Sequence, residues 1–266
     1  MSAAEELADD LATISEPAEG VRRITLNRPA RRNALSVGLM TALEAAIAEA
    51  GADPAARVLI LAAHGPAFCA GHDLKEMRAN PGRAAYEALF TQCSRLMTAI
   101  LRCPKPVIAQ VHAMATAAGC QLVASCDLAI AGEAAAFATP GVNIGLFCST
   151  PMVALSRAVG RKTAMEMLLT GAPVPAARAV DLGLINRVVA DDALAAETLA
   201  LAESIASKSP LTVKIGKEAF YRQAEMGLDE AYAYASRVMT ENMLARDAEE
   251  GIDAFLAKRE PVWTGQ

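Results

Sequence analysis

Positive charge is in short supply, and its lack removes one class of function at once. The 266 residues carry 25 Lys and Arg against 30 Asp and Glu, a formal net charge of −5 at pH 7. Six of the acids (Glu5, Glu6, Asp9, Asp10, Glu16, Glu19) stand in residues 1–19, where there is no base, so the remainder is close to neutral. Sequence-independent nucleic-acid binding needs a strong basic face; a nucleic-acid partner is therefore excluded. Histidine is sparse as well: His64, His72 and His112 are too scattered for a metal site, and no metal is expected. The six cysteines (Cys69, Cys93, Cys103, Cys120, Cys126, Cys148) contain no C-x-x-C pair and read as free, buried thiols. The most apolar long stretch, from Val111 to Ala131, is broken by His112, Gln121 and Asp127. It is too polar for a spanning helix, so no membrane association is expected. The N-terminus also lacks the basic and apolar regions of a secretory signal. Free thiols without such a signal point to a cytoplasmic protein. Aromatics make up only 4% against 53% apolar residues, which leaves the core to Ala, Leu, Val, Ile and Met. The length allows one large domain with an ample core.

What is present is alternation of element types. Residues 21–27 alternate as a strand does. Residues 58–62 and 107–111 are uninterrupted apolar runs of the kind covered on both faces, and 128–131 form another strand. Between them lies a helix capped by Ser36, with Leu39, Leu43, Ala46, Ile47 and Ala50 on one face. A long helix over 84–102 ends at Cys103-Pro104-Lys105-Pro106, and a shorter one covers 117–125. This predicts an α/β core with largely parallel pairing. After residue 150 the pattern is helical, over 151–159, 163–169, 175–182, 193–208, 211–223, 229–245 and 249–258, with one strand at 186–189. The expected organisation is an acidic segment (1–19), a core (20–200) and a helical region (201–266). The last serves oligomer contacts, or else completes the core of a monomer; the pattern suits both.

Three features carry chemistry. Ala67-Phe68-Cys69-Ala70-Gly71-His72-Asp73-Leu74 and Ala115-Thr116-Ala117-Ala118-Gly119-Cys120-Gln121 are small-residue turns, each following a buried strand. Such turns can present unpaired backbone N–H groups, and a helix N-terminus adds a dipole that favours negative charge. Facing one point, two of them form an oxyanion hole; the other reading is close strand–helix packing. The third feature is Arg22, Arg23, Arg28, Arg31 and Arg32, five arginines in eleven residues with no acid among them. They suit phosphate oxygens, or are simply solvated. Alternation sends Arg22 and Arg23 to opposite faces, so the two do not serve one ligand.

At these residues the chain resembles the crotonase superfamily, the enoyl-CoA hydratase/isomerase family. The likeness runs in order through Leu26-Asn27-Arg28-Pro29, Phe68-Cys69-Ala70-Gly71-His72-Asp73-Leu74, Lys105-Pro106-Val107-Ile108-Ala109, Ser125-Cys126-Asp127-Leu128-Ala129 and Ala176-Ala177-Arg178-Ala179-Val180-Asp181-Leu182-Gly183. It closes at Ala254-Phe255-Leu256-Ala257-Lys258-Arg259. Residues 115–127 and 137–143 are similar to the enoyl-CoA hydratase domain-containing protein 3 branch. The resemblance implies a spiral of ββα turns with a C-terminal helical oligomerisation region, assembled as a homotrimer or a dimer of trimers. It implies that the backbone N–H groups of His72 and Ala118, or Gly119 one residue on, hold the oxygen of an acyl-CoA thioester as it becomes enolate-like. It also implies that Arg31, Arg32, Ala70, Phe255 and Lys258 approach coenzyme A, which is part of the ligand and not a prosthetic group.

The pattern then departs from the family. Relatives that add water to an enoyl-CoA use two glutamates as acid and base. The matching positions here are Gln121 and Gly141, and a third, aspartate in some isomerases, is Ser149. An amide orients water or a carbonyl but exchanges no proton near neutral pH, and positioned acid/base catalysis contributes about 10²–10⁴. The expected function is an acyl-CoA-binding, hydratase/isomerase-like enzyme that stabilises a thioester enolate. The alternatives are a non-catalytic acyl-CoA binder and a weak hydratase using water held by Gln121. His72, Asn143, Cys148 and Ser149 are the remaining candidates for the acyl pocket. For Cys148 the reading is a nucleophile or a small apolar lining residue; for Asp73 it is a turn-stabilising residue or a catalyst.

Overall fold

The computed structural model describes residues 11–266. Its main sheet has six strands in the order β1-β2-β3-β4-β6-β9. These are β1 (Ala12–Ala18), β2 (Val21–Leu26), β3 (Val58–Ala63), β4 (Val107–Val111), β6 (Leu128–Gly132) and β9 (Arg187–Val189). β1 runs antiparallel to β2, and every other neighbouring pair is parallel. A smaller sheet joins β5 (Ala115–Thr116), β7 (Ala136–Ala138) and β8 (Val174–Pro175) in the order β5-β7-β8. The parallel strands were predicted from their apolar runs, and the burial shows why. Leu59 and Leu61 of β3 enter the larger core, while Val58, Ile60 and Ala62 enter a second core on the opposite face. A strand covered on both sides has no polar alternation to display.

Helices fill both layers. Ser36 caps α1 (Val37–Ala52) by accepting from the Leu39 N–H at 3.1 Å, and Leu39, Leu43, Ala46, Ile47 and Ala50 are buried. The chain continues through α2 (Leu74–Ala79), α3 (Arg83–Arg102), α4 (Ala118–Ser125), α5 (Pro151–Ala158), α6 (Arg161–Thr170) and α7 (Ala176–Asp181). It ends with α8 (Leu194–Ala206), α9 (Pro210–Gln223), α10 (Leu228–Met243) and α11 (Arg246–Ala257). Asp247 ties this last part together. It is buried and accepts from Ser209 Oγ at 2.6 Å, from the Thr264 N–H at 2.7 Å and from the Gly265 N–H at 3.1 Å. No described helix is long and apolar enough to cross a membrane.

Two expectations about organisation are corrected. Residues 12–18, assigned to an acidic segment outside the core, form β1 and pair with β2 from Ala12↔Leu26 to Ala18↔Val21. An edge strand with one solvated face needs no apolar run, so hydropathy is silent there; its support is the ladder and the ion pair from Arg22 to Glu16 at 2.7 Å. The rest of that segment, residues 1–10, lies outside the described residues. The boundary at residue 200 falls inside α8, whose Ala202 and Ala206 pack on the main sheet. The short strands β5, β7 and β8 were not predicted, since two or three residues show no periodicity.

Candidate active site

The two small-residue turns meet where β3 and β4 end. The Phe68 N–H donates to the Met114 carbonyl at 3.0 Å, and the Thr116 N–H to the Cys69 carbonyl at 2.9 Å. The Leu35 N–H donates to the Gly71 carbonyl at 2.7 Å and the Asp73 N–H to the Leu35 carbonyl at 3.0 Å, which fixes the peptide of His72 between them. Two glycines permit the approach. A Cβ at Gly119 would lie 2.1 Å from the Cys69 oxygen, and one at Gly71, where φ is +85°, would lie 2.9 Å from Ala117 Cβ and 3.4 Å from the Ala118 nitrogen. Ala117 itself has φ 51° and ψ −116°, a conformation L-residues rarely adopt. Its N–H donates to the Ala138 carbonyl at 2.8 Å, which leaves Ala118 to open α4. Among the described residues the N–H groups of His72, Ala118 and Gly119 have no acceptor.

Burial shifts the imidazole and the thiols around the turns toward their neutral forms. Burial lowers the His72 imidazole to about 4, its ring edge meets Phe90 with centroids 5.6 Å apart, and its Nε2 has no partner. Burial raises the thiols of Cys69, Cys93 and Cys120 to about 12 and raises Cys148 as well. Cys148 is buried, with its residue 6% exposed, and burial pushes its thiol upward, which favours the lining reading over the nucleophile. Gln121 is buried at 4% exposure, with the Cys93 thiol 3.9 Å from its Oε1. Gly141 is more than a missing carboxylate. A Cβ there would lie 2.8 Å from the Leu146 oxygen and 2.9 Å from Cys148 Sγ, so no side chain fits without moving that loop.

The other expected residues divide. Asp73 caps α2 through the Lys75 and Glu76 N–H groups and pairs with Arg28 at 2.7 Å; burial would raise its carboxyl, but these contacts hold it below the usual range. It stabilises the turn. Arg22 pairs with Glu16 and Asp53, so it and Arg28 are structural. Arg31 and Arg32 are exposed, with no ion pair among the described residues, and the Ala70 N–H donates to the Arg32 carbonyl at 3.0 Å. That bond brings their loop to the first turn. Asn143 is exposed and leans on Gly171, where its Nδ2 would meet a Cβ at 3.2 Å. Ser149 is exposed, with Oγ 3.4 Å from the Phe147 carbonyl. Phe255 and Lys258 belong to the end of α11, and no hydrogen bond or ion pair joins them to Arg31, Arg32 or Ala70. The described residues hold no group of three or more His, Cys, Asp or Glu arranged for a metal.

Two features were not anticipated. Asn33 is fully buried and left-handed at φ 53°; it accepts from the Arg28 N–H at 2.8 Å and donates to the His64 and Ala67 carbonyls at 2.8 and 2.9 Å. It sews the arginine loop to the first turn, and the tolerance of Asn for that conformation was its only signal. A groove of about 710 Å³ runs along α3, lined by Arg83, Tyr86, Glu87, Phe90, Thr91 and Ser94, of which Phe90 also meets the His72 ring.

A family model for enoyl-CoA hydratase/isomerase matches residues 16–266. The chain belongs to that family. It is 48% identical over 252 residues to the mitochondrial enoyl-CoA hydratase domain-containing protein 3 of Xenopus laevis, covering 95% of this chain and 86% of that protein. The human protein of the same name is also 48% identical, with 95% and 83% covered. The crystal structure of an enoyl-CoA hydratase from Mycobacterium smegmatis superposes with a TM-score of 0.93 at 54% identity, covering 95% of this chain and 98% of that one. The human enoyl-CoA hydratase domain-containing protein 3 superposes at 0.92 with 47% identity, over 95% and 100%. The α/β crotonase fold and the resemblance to that branch are thus shown. The expected cytoplasmic location is corrected: these frog and human relatives are named as mitochondrial proteins. Free thiols fit any reducing compartment, and the lack of a secretory signal does not tell one from another.

Proposed function

We propose that this family member binds an acyl-CoA and stabilises the enolate of its thioester between the N–H groups of His72 and Ala118. The observation that carries this reading is the pair of unpartnered amides on two turns held in contact by Gly71 and Gly119. Preorganised donors aimed at developing charge contribute about 10²–10³ in rate each. Coenzyme A enters as part of the ligand, its phosphates met by Arg31 and Arg32 and its chain passing Ala70. Phe255 and Lys258 reach coenzyme A from a neighbouring protomer in a homotrimer or a dimer of trimers, with α9–α11 as the contact region. Water addition by two carboxylates is not part of the proposal, because Gln121 and Gly141 supply no acid or base. Calorimetry with butyryl-CoA, on the protein and on Ala118→Pro, tests it. Binding that is lost in a folded Ala118→Pro variant supports the reading, and unchanged binding removes it.

A second reading, a non-catalytic acyl-CoA binder, is favoured by burial, which shifts the His72 imidazole and the thiols around the turns toward their neutral forms. Solvent deuterium exchange at the α-carbon of bound butyryl-CoA separates the two. Exchange faster than in free solution belongs to an enolate-forming enzyme, and its absence belongs to a binder.

A further inference from the structure

We propose that Arg259 and Glu250 are positioning residues for the coenzyme A of a neighbouring protomer, because their ion pair holds the left-handed turn from which Lys258 meets its phosphates. The inference rests on the acyl-CoA reading above and deepens it.

The turn closes α11. The Lys258 N–H donates to the Phe255 carbonyl at 3.2 Å, and the Arg259 N–H reaches back to the Ala254 carbonyl at 3.0 Å. Lys258 itself has φ 53° and ψ 43°. Helices that end in this way usually place glycine there, since a side chain makes the left-handed conformation unfavourable. The next residue supplies the restraint. Arg259 forks onto Glu250, Nη1 to Oε1 at 2.6 Å and Nη2 to Oε2 at 2.8 Å, and the Val262 N–H donates to the same Oε1 at 2.7 Å. The guanidinium and the Val262 N–H hold the Glu250 carboxyl at about 2, so the pair stays ionised across the neutral range. Residues 260–266 then run back along α11. Trp263 Nε1 donates to the Ser207 carbonyl at 2.9 Å, its ring lies 3.1 Å from where Gly251 would carry a Cβ, and the Asp247 N–H donates to the Gln266 carbonyl at 3.0 Å.

Exposed ion pairs contribute little to stability. The consequence of this one is geometric: it fixes the starting point of an unpaired cation. Lys258 is exposed, with no ion pair and no side-chain hydrogen bond among the described residues, and Phe255, one turn earlier, is 82% exposed. Arg259 is engaged by Glu250 and by the Glu260 carbonyl at 3.2 Å, which leaves Lys258 as the cation of this turn for a phosphate. A lysine ammonium rides on a flexible stem, so its reach depends on where the backbone sets the Cα. Holding that backbone in an unfavourable conformation before the ligand arrives lowers the ordering cost of binding.

Calorimetry compares butyryl-CoA with S-butyryl-pantetheine, which lacks the nucleotide phosphates, on the assembled protein, on Lys258→Ala, on Arg259→Ala and on the double variant. Lys258→Ala is expected to weaken butyryl-CoA about fivefold, the upper end for an exposed ion pair. Arg259→Ala is expected to lose most of that factor. The double variant is expected to lose no more than Lys258→Ala alone, since both substitutions act on one contact. S-butyryl-pantetheine is expected to bind Arg259→Ala as it binds the native protein, a split that a merely structural pair would not give. If Arg259→Ala fails to assemble, Arg259→Lys carries the same comparisons, because it keeps the charge and loses the fork. Losses that multiply in the double variant, an equal loss for both esters, or native butyryl-CoA affinity in either single variant overturns the positioning role and leaves the thioester reading in place. Binding of neither ester by the native protein overturns the acyl-CoA reading beneath it.

Discussion

Ala117 holds φ 51° and ψ −116° with a side chain that makes this conformation unfavourable by about 1–3 kcal/mol. Such strain persists where neighbours over-determine it, and here the neighbours are Gly71, Gly119 and the Ala138 carbonyl. Gly119→Ala tests the arrangement. Its Cβ would meet the Cys69 oxygen, so the substitution is expected to lower stability by about 1–3 kcal/mol and to weaken butyryl-CoA binding more than tenfold. Urea unfolding and calorimetry read the two effects, and unchanged affinity would separate the turns from the ligand site. His72 gives a pH signature. Its imidazole stays neutral down to about 4 in the folded protein, whereas in the unfolded chain it gains a proton near 6.5. The unfolded state therefore binds the extra proton, and stability falls as the pH drops from about 6.5 toward 4. His72→Leu is expected to flatten that part of the stability–pH curve. An unchanged slope would mean that His72 titrates normally.

Whole elements were legible in the sequence in proportion to how much apolar pattern they display. β3 and β4 are apolar throughout because both faces are covered, and the face of α1 is written in Leu39, Leu43, Ala46, Ile47 and Ala50. β1 escaped because its edge position needs no such run, and β5, β7 and β8 because two or three residues have no period. The site was half legible. The small residues of both turns were visible as residue types, but the packing of Gly141 against Cys148 and Leu146 joins residues whose contact no spacing announces. The same is true of the joint between α9 and the sheet. Lys217 donates to Asp127 at 2.7 Å and to the Ile100 and Lys105 carbonyls at 3.1 and 3.0 Å, while Tyr221 donates to Asp127 at 2.9 Å. Lys217→Met leaves the half-buried Asp127 carboxylate without its cation and is expected to destabilise by about 3 kcal/mol. A urea midpoint within error of the native protein would show that this pair does not anchor the helix.

The molecule as a whole carries its apolar excess on the last helices. α9 and α10 bury no residue of their own, while Leu228, Tyr232, Met239 and Leu244 are 73%, 69%, 61% and 76% exposed. Monomers seldom expose contiguous apolar faces of this kind. Sedimentation equilibrium is expected to give three or six times the chain mass of 27.8 kDa. Leu228→Glu with Tyr232→Glu is expected to reduce it to one, and a native protein of single-chain mass would contradict the assembly. The proposed function turns on one event, the polarisation of a thioester carbonyl by two main-chain amides. Infrared difference spectroscopy of butyryl-CoA labelled with ¹³C at the thioester carbon observes that bond directly. On binding, the labelled C=O stretch is expected to move to lower frequency than in free butyryl-CoA. A bound ligand that keeps its solution frequency would contradict the central claim.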